Sequence, residues 1–226
     1  MQWAGGVGAG ETCRRRQNGW TVRRPNCQNR MVADHLYYSC WLRNYSALNM
    51  LRQYGRMLEL FPFSPVNPAD SVLRIQAVST AEPALAERAF LDPVDPKAVA
   101  AEAGEFLHDD CAYSFDTWWG LWTFDRDWKL APARVSLHCF GPRFNDSPVG
   151  DEERQAEHLR VDFGLDSWFL PQAELPNAAW YARSNLKGMV KFVQSLDEAL
   201  PVERRAMWTE SGGNFAERLR DAAAEL

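Results

Sequence analysis

The segment from residue 108 to residue 170 constrains the fold most, because it holds the clearest alternation of apolar and polar side chains in the chain. Residues 135–140 place apolar side chains on one face and Ser136 and His138 on the other. Residues 159–163 repeat the pattern with polar side chains at every second position. A period of two is typical of strands that are buried on one side. The segment therefore predicts a sheet with one apolar and one polar face.

Further strands are expected inside the same segment. Residues 113–122 are rich in aromatic side chains and poor in helix formers, which favours a strand or hairpin. Residues 131–133, with a central proline, predict a break in the chain, and Trp168-Phe169-Leu170 predicts one more short strand. The predicted strands follow one another closely apart from a polar loop at 145–157, and short connections indicate antiparallel pairing.

Helices are predicted before and after this sheet. Apolar residues spaced three and four apart predict helices at about 35–59, 96–107, 178–198 and 214–225, the first capped by Asp34 and the second by Asp95. Pro201 is expected to open another helical segment that runs to Trp208.

Two segments between the first two helices complete the prediction. Residues 72–78 alternate and predict a strand, and residues 82–92 predict a short helix or an extended arm along the sheet edge. The expected fold class is α+β, with a mainly antiparallel sheet of four to six strands and helices packed mostly on one face.

Charge divides the chain into two parts. Residues 1–30 carry six arginines and one glutamate, a net charge of +5, and the remaining 19 basic and 29 acidic residues give −10. The negative net charge of residues 31–226 repels the phosphates of nucleic acid, so no nucleic-acid partner is expected. Residues 1–30 show neither a helical nor a strand period. We expect either that translation begins at Met31 and these residues were assigned to the protein in error, or that they form a disordered arm. Residues 31–226 are expected to form one domain.

The five cysteines and the hydropathy pattern indicate a compartment. The cysteines are odd in number and unevenly spaced, which favours free thiols in a reducing cytoplasm. No apolar run approaches the length of a membrane-spanning helix, so a soluble protein without a membrane partner is expected. The sequence matches none of the usual phosphate-loop, dinucleotide, nucleophile-elbow or zinc-protease motifs, and no cofactor is predicted.

The polar face of the predicted sheet is the first candidate site. A histidine beside carboxylates can act as a general base, and arginines can hold an anion. The predicted catalytic residues are His138, Asp162 and Asp116, and the predicted ligand-binding residues on this face are Arg74 and Arg160. The alternative is a solvated sheet face whose opposite charges stabilise neighbouring strands.

The second candidate is the run that begins at His108. No metal site is assigned, but His108 and Asp109 are weak candidates for metal ligands, because a histidine and adjacent carboxylates can bind a divalent ion. Side chains of consecutive residues diverge, so at most two of them could reach one ion. The alternative is a histidine at the negative end of a helix followed by a solvated turn.

The third candidate is the concentration of tryptophan between residues 118 and 128. Trp118 and Trp119 must point to opposite faces of a strand, and both faces cannot be core in a one-sided sheet. We therefore expect one ring to lie under a loop, under the N-terminal arm or in an interface, and we assign Trp118 and Trp119 to ligand binding. Tryptophan is enriched in interfaces because it brings a large rigid surface.

Two functions follow from these candidates. The first is a non-catalytic interaction module that self-associates and binds an unknown protein or small molecule. The second is a small hydrolase or metal-dependent enzyme that uses His138 with Asp116 or Asp162 on the open face of the sheet.

Overall fold

The computed structural model describes residues 34–65, 68–144, 156–172, 174–211 and 215–224. The elements in chain order are β1 (His35–Leu42), α1 (Met50–Leu60), β2 (Ser71–Ala77), β3 (Ala86–Phe90), α2 (Pro96–Gly104), β4 (Cys111–Asp125), β5 (Asp127–Phe140), β6 (Leu159–Leu165), a 3₁₀ helix (Asp166–Trp168), α3 (Ala178–Ala199), β7 (Val202–Thr209) and α4 (Phe215–Ala224). The predicted N-terminal extension, residues 1–30, lies outside the described residues.

The strands form one antiparallel sheet in the order β3-β2-β4-β5-β6-β1-β7. The α+β class is confirmed, but the predicted four to six strands are wrong, because this sheet has seven. Two of the seven, β1 and β7, come from stretches that were predicted to be helical.

The predicted helix over 35–59 begins much later than expected. Residues 35–42 form β1, which lies between β6 and β7, and only Met50–Leu60 are helical. β1 is buried along most of its length, so its apolar residues do not alternate, and their spacing resembles that of a helix. Asp34 caps no helix; its carboxylate accepts hydrogen bonds from the backbone N–H of His35 and of Ser211.

The hairpin of β4 and β5 is longer than the sequence suggested, and its strands are uninterrupted. The predicted break at 131–133 is absent, because Pro132 pairs with Gly120 inside the continuous strand β5. A tight turn joins the strands, with Arg126 at a φ of 68° between the paired residues Asp125 and Asp127. The hairpin therefore reaches beyond the end of β2, which pairs with β4 only up to Asp116.

The apolar face of the sheet carries the main core. It includes Leu73, Phe115, Leu137 and Phe163, all fully buried. The Tyr54 hydroxyl of α1 donates a hydrogen bond to the Leu137 carbonyl at 3.0 Å. Its pKa lies well above the usual value because burial disfavours the phenolate. This hydroxyl therefore stays protonated and joins α1 to β5.

Other local predictions have mixed outcomes. Asp95 caps α2 by accepting from the N–H of Lys97, as expected from the Asp-Pro start. The segment 82–92 contains the edge strand β3, which agrees with an extended arm. The predicted strand at 168–170 is a 3₁₀ helix followed by a turn. Among the described residues no helix has the length and apolar character needed to cross a membrane.

Candidate functional site

The polar face brings the predicted site residues together in two rows. One row runs through Asp116, Ser136 and Asp162 on adjacent strands, and the next runs through His138 and Arg160. His138 therefore lies diagonally to both aspartates, about 7 to 8 Å away between Cα atoms. Among the described residues, it forms no hydrogen bond to either carboxylate.

Asp116 is held by three neighbours. Its carboxylate accepts from Ser136 Oγ at 2.5 Å and from Arg134 at 2.6 Å, and it also forms an ion pair with Arg74. Burial by itself raises the pKa of Asp116, but the bonds from Ser136, Arg134 and Arg74 outweigh it and lower the pKa below its usual value. Arg74 also binds Glu87 of β3 at 2.8 Å. These groups stabilise one another's charge, so Asp116 is an ionised structural anchor.

His138 is a neutral imidazole. Burial, with a smaller effect of the nearby Arg160 cation, lowers its pKa to about 3 although Asp116 acts in the opposite direction. Its ring stacks on Phe140 at 5.9 Å between centroids. A base with this pKa is weak, and at neutral pH His138 carries no charge.

Arg160 is enclosed by aromatic rings. Its guanidinium lies 4.8 Å from the centroid of Phe140 and 5.9 Å from those of Tyr37 and Trp208, which stack on each other. It also forms a buried ion pair with Glu157. Cation–π contacts and a carboxylate thus satisfy Arg160 within the protein.

Asp162 pairs with a histidine that the sequence reasoning did not consider. His35 Nδ1 lies 3.2 Å from both carboxylate oxygens of Asp162, and Asp162 also accepts from the N–H of Gly164 at 2.8 Å. The imidazole of His35 is 43% exposed. Because residues 35–59 were predicted as helix, the strand that brings His35 next to Asp162 was not expected.

The His108 cluster lies on a turn between α2 and β4. Its Nδ1 is 2.5 Å from Asp110 and 3.6 Å from Asp109, and the donor atoms of the three residues lie within 4.8 Å of one another. Asp109 also faces Arg143 at 3.7 Å. His108 is exposed and the two aspartates are half-buried, and the charges of the cluster stabilise the turn and each other.

The tryptophan doublet divides between the faces as the strand geometry requires. Trp119 is buried in the core against Phe61, Phe163 and Phe192. The Trp118 ring is on the opposite face, and its Nε1 donates to the Ala69 carbonyl at 2.9 Å. Trp118 therefore meets the loop before β2.

A cluster of five aromatic side chains and one leucine forms where the end of the β4–β5 hairpin meets the start of α3. We call it the aromatic patch; its members are Trp122, Phe124, Trp128, Leu130, Trp180 and Tyr181. Tyr181 stacks on Trp128 at 4.4 Å and contacts Trp122 at 5.0 Å. Trp128 Nε1 donates to the Pro176 carbonyl at 2.6 Å.

Exposure is concentrated in two members of this patch. Trp180 is 61% exposed and Leu130 is 57% exposed, whereas Trp122 and Tyr181 are half-buried. The sequence drew attention to the tryptophans of the hairpin but not to Trp180 and Tyr181, which come from a helix about 50 residues later. Only the fold brings the two sets together.

An open cleft of about 480 Å³ lies elsewhere, along α1 where it meets α2 and the connection from α3 to β7. It is lined by Arg52, Arg56, Ala100 and Pro201 among others, and none of the predicted site residues contributes to it.

Comparison with known proteins gives no further guide to the site. Neither protein-family models, nor curated proteins, nor solved structures match this chain. The candidate functions therefore rest on the geometry alone.

Proposed function

We propose that this chain is a non-catalytic protein-interaction module and that the aromatic patch is its binding surface. The observation that carries the proposal is the exposure of Trp180 on top of rings that are fixed by stacking and hydrogen bonds. Large, rigid aromatic side chains dominate the binding energy of many interfaces, because they lose little conformational entropy on binding.

The support beneath the patch favours recognition by a preformed surface. Tyr181 and Trp128 stack on each other, and Trp128 is tied to the segment before α3 through Pro176. A partner would meet side chains whose positions are already set, which reduces the entropic cost of association.

The polar face of the sheet also favours an interaction module over an enzyme. Asp116 is ionised between two arginines, and Arg160 is enclosed with Glu157. His138 is neutral with a pKa of about 3. Because these charged side chains already pair with one another and His138 is a weak base, they are poorly suited to bind a substrate or transfer a proton.

The hydrolase remains a second candidate because of the pair formed by His35 and Asp162. A carboxylate that orients an exposed imidazole is the arrangement of a general base. The variant His35→Gln tests it. The chain is a hydrolase, and not an interaction module, if it hydrolyses ester or phosphoester reporter substrates and this variant lowers kcat at least tenfold without changing stability.

Self-association, a cytoplasmic location and the absence of a nucleic-acid or membrane partner are further parts of the proposal. Both edge strands carry exposed charged side chains, Glu87 and Arg88 on β3 and Glu203, Arg204 and Arg205 on β7. Charged edges oppose strand-to-strand pairing between copies, so self-association must use a surface other than the sheet edges. Sedimentation velocity over a wide concentration range tests self-association; a monomer at every concentration overturns that part.

Selection from a random peptide library displayed on phage, with the immobilised chain as target, tests the binding surface. We expect enriched peptides that bind the wild type and lose binding to Trp180→Ala. The matched control is Leu48→Ala, which removes an apolar side chain that is 95% exposed elsewhere. Peptides that bind all three forms equally, or no enrichment at all, would overturn the proposal.

A further inference from the structure

One face of α3 continues the aromatic patch along the helix as a row of basic side chains. At 100° per residue, Trp180, Arg183, Lys187 and Lys191 fall on one side of the helix, and all four are exposed. We call the three cations the basic stripe. From Arg183 to Lys191 it extends about 12 Å at the rise of an α-helix.

Along α3 no acidic residue lies one helical turn from any of the three cations. Within the described part of the chain none of them forms an ion pair. From residue 178 to residue 196 the helix contains no acidic residue, so the usual pairing of opposite charges one turn apart is missing. This concentration of positive charge stands out in residues 31–226, whose net charge is −10.

We infer that the partner of this surface is a short acidic segment of another protein. Its carboxylates bind the basic stripe, and its apolar side chains cover Trp180 and Leu130. The inference rests on the proposed function, because it assigns a partner chemistry to the same aromatic patch. Opposite charges at the rim of an interface select the partner, while the aromatic centre supplies contact area.

Acidic residues near both ends of the basic stripe limit the length of an anionic partner that can bind it. Glu198 lies on the same face of α3 at its C-terminal end, and Asp125 and Asp127 flank the hairpin turn. A long polyanion such as a single-stranded nucleic acid would meet these carboxylates at both ends. A segment of about three helical turns fits between them.

A second copy of the chain fits less well. In a twofold dimer the same patch meets itself. Two basic stripes would then face each other, and like charges in an interface are unfavourable. The occupant is therefore a different chain with acidic side chains.

The probe is a fluorescein-labelled peptide of about 12 residues, or about three helical turns, which is long enough to cover the stripe and Trp180 as a helix. It carries Glu at every fourth position with Leu beside it, and the comparison peptide has Gln in place of each Glu. Binding to the full chain is measured by fluorescence anisotropy. An oligothymidylate of about 16 nucleotides is titrated in parallel.

We expect the Glu peptide to bind and the Gln peptide to bind at least tenfold more weakly. Lys187→Glu should weaken binding about fivefold, as expected for a lost surface ion pair. Arg52→Glu is the matched control, because Arg52 is an exposed cation on α1, and it should leave the affinity unchanged. Raising NaCl from about 0.1 M to about 1 M shortens the screening length from about 10 Å to about 3 Å and should weaken binding severalfold.

Three outcomes overturn the inference. Equal binding of the Glu and Gln peptides removes the charge requirement, and tighter binding of the oligothymidylate indicates a nucleic-acid partner. Equal effects of Lys187→Glu and Arg52→Glu place the peptide elsewhere. If library peptides still require Trp180 in any of these cases, the interaction module stands and only its acidic partner is wrong. If Trp180→Ala leaves Glu-peptide binding intact, the aromatic patch itself is not the binding surface.

Discussion

The side-chain amide of Asn185 in α3 forms two reciprocal hydrogen bonds with the backbone of Trp122 in β4. Its Oδ1 accepts from the Trp122 N–H and its Nδ2 donates to the Trp122 carbonyl, both at 2.9 Å. Nδ2 also donates to the Trp168 carbonyl at 2.8 Å. Asn185 thus completes the outer edge of β4 beyond the end of β2. The start of α3, with Trp180 and Tyr181, is thereby fixed against the hairpin.

The variant Asn185→Ala should destabilise the fold. It removes all three hydrogen bonds and leaves backbone groups of Trp122 and Trp168 without this partner, at a cost of about 1 to 3 kcal/mol. Urea unfolding followed by tryptophan fluorescence measures the change. The control Gln194→Ala alters an exposed position of the same helix and should change stability by less than about 0.5 kcal/mol. Equal midpoints for Asn185→Ala and the wild type would mean that water replaces the amide.

Protonation of two histidines with lowered pKa values should destabilise the protein in mild acid. Burial lowers the pKa of His138 to about 3 and that of His158 to about 4, so between those values and 6.5 the unfolded chain binds more protons than the folded one. Stability is then full above pH 6.5 and falls as the pH drops, by up to about 1.4 kcal/mol per pH unit for each group.

Urea unfolding at several pH values between about 4 and 7.5 measures this dependence, and His138→Gln should reduce the slope below pH 6.5. The variant Gln194→Ala should reproduce the wild-type slope. An unchanged slope in His138→Gln would indicate that the folded protein accepts a proton on this ring without cost.

The outcomes of the sequence-based prediction have a common physical reason. Strands β2, β5 and β6 were recognised because one face is buried and the other is polar, which preserves a period of two. β1 is buried on both sides over most of its length, and β7 is an edge strand with three consecutive charges. Neither strand alternates between apolar and polar residues, so both sequences were interpreted as helical.

The site was predicted in part for a related reason. The alternation within β5 and β6 placed His138, Arg160 and Asp162 on one face, because the side-chain period determines the face. Which residues become neighbours depends on strand order and register, which a single sequence does not specify. The pairing of His35 with Asp162 and the two arginines on Asp116 therefore required the structure.

Replacement of Asp116 by Asn should destabilise the polar face. The neutral amide no longer balances Arg74 and Arg134, and loss of charged hydrogen bonds of this kind costs about 2 kcal/mol. Glu87→Gln is the matched control, because Glu87 pairs with Arg74 from an exposed position and should change stability by less than about 1 kcal/mol. Thermal unfolding of both variants distinguishes them, and equal shifts would show that Asp116 contributes no more than a surface charge.

Arg218 should hold α4 against the sheet. Its guanidinium pairs with the buried carboxylate of Asp166 and lies 3.7 Å from Asp34, whose backbone N–H donates to Asp166 at 3.0 Å. Burial raises the pKa of Asp166 despite these partners, so its ionised form depends on the cation. Arg218→Ala leaves a buried charge unpaired and should cost about 3 kcal/mol.

Hydrogen exchange resolved by mass spectrometry measures this loss. Exchange should accelerate in α4 and in the adjoining strand β7, because local opening of a weakly held element exposes its amides. The matched control Arg220→Ala changes an exposed arginine of the same helix and should leave protection unaltered. If both variants exchange like the wild type, packing of the buried Phe215 is sufficient to hold α4 and the ion pair is dispensable.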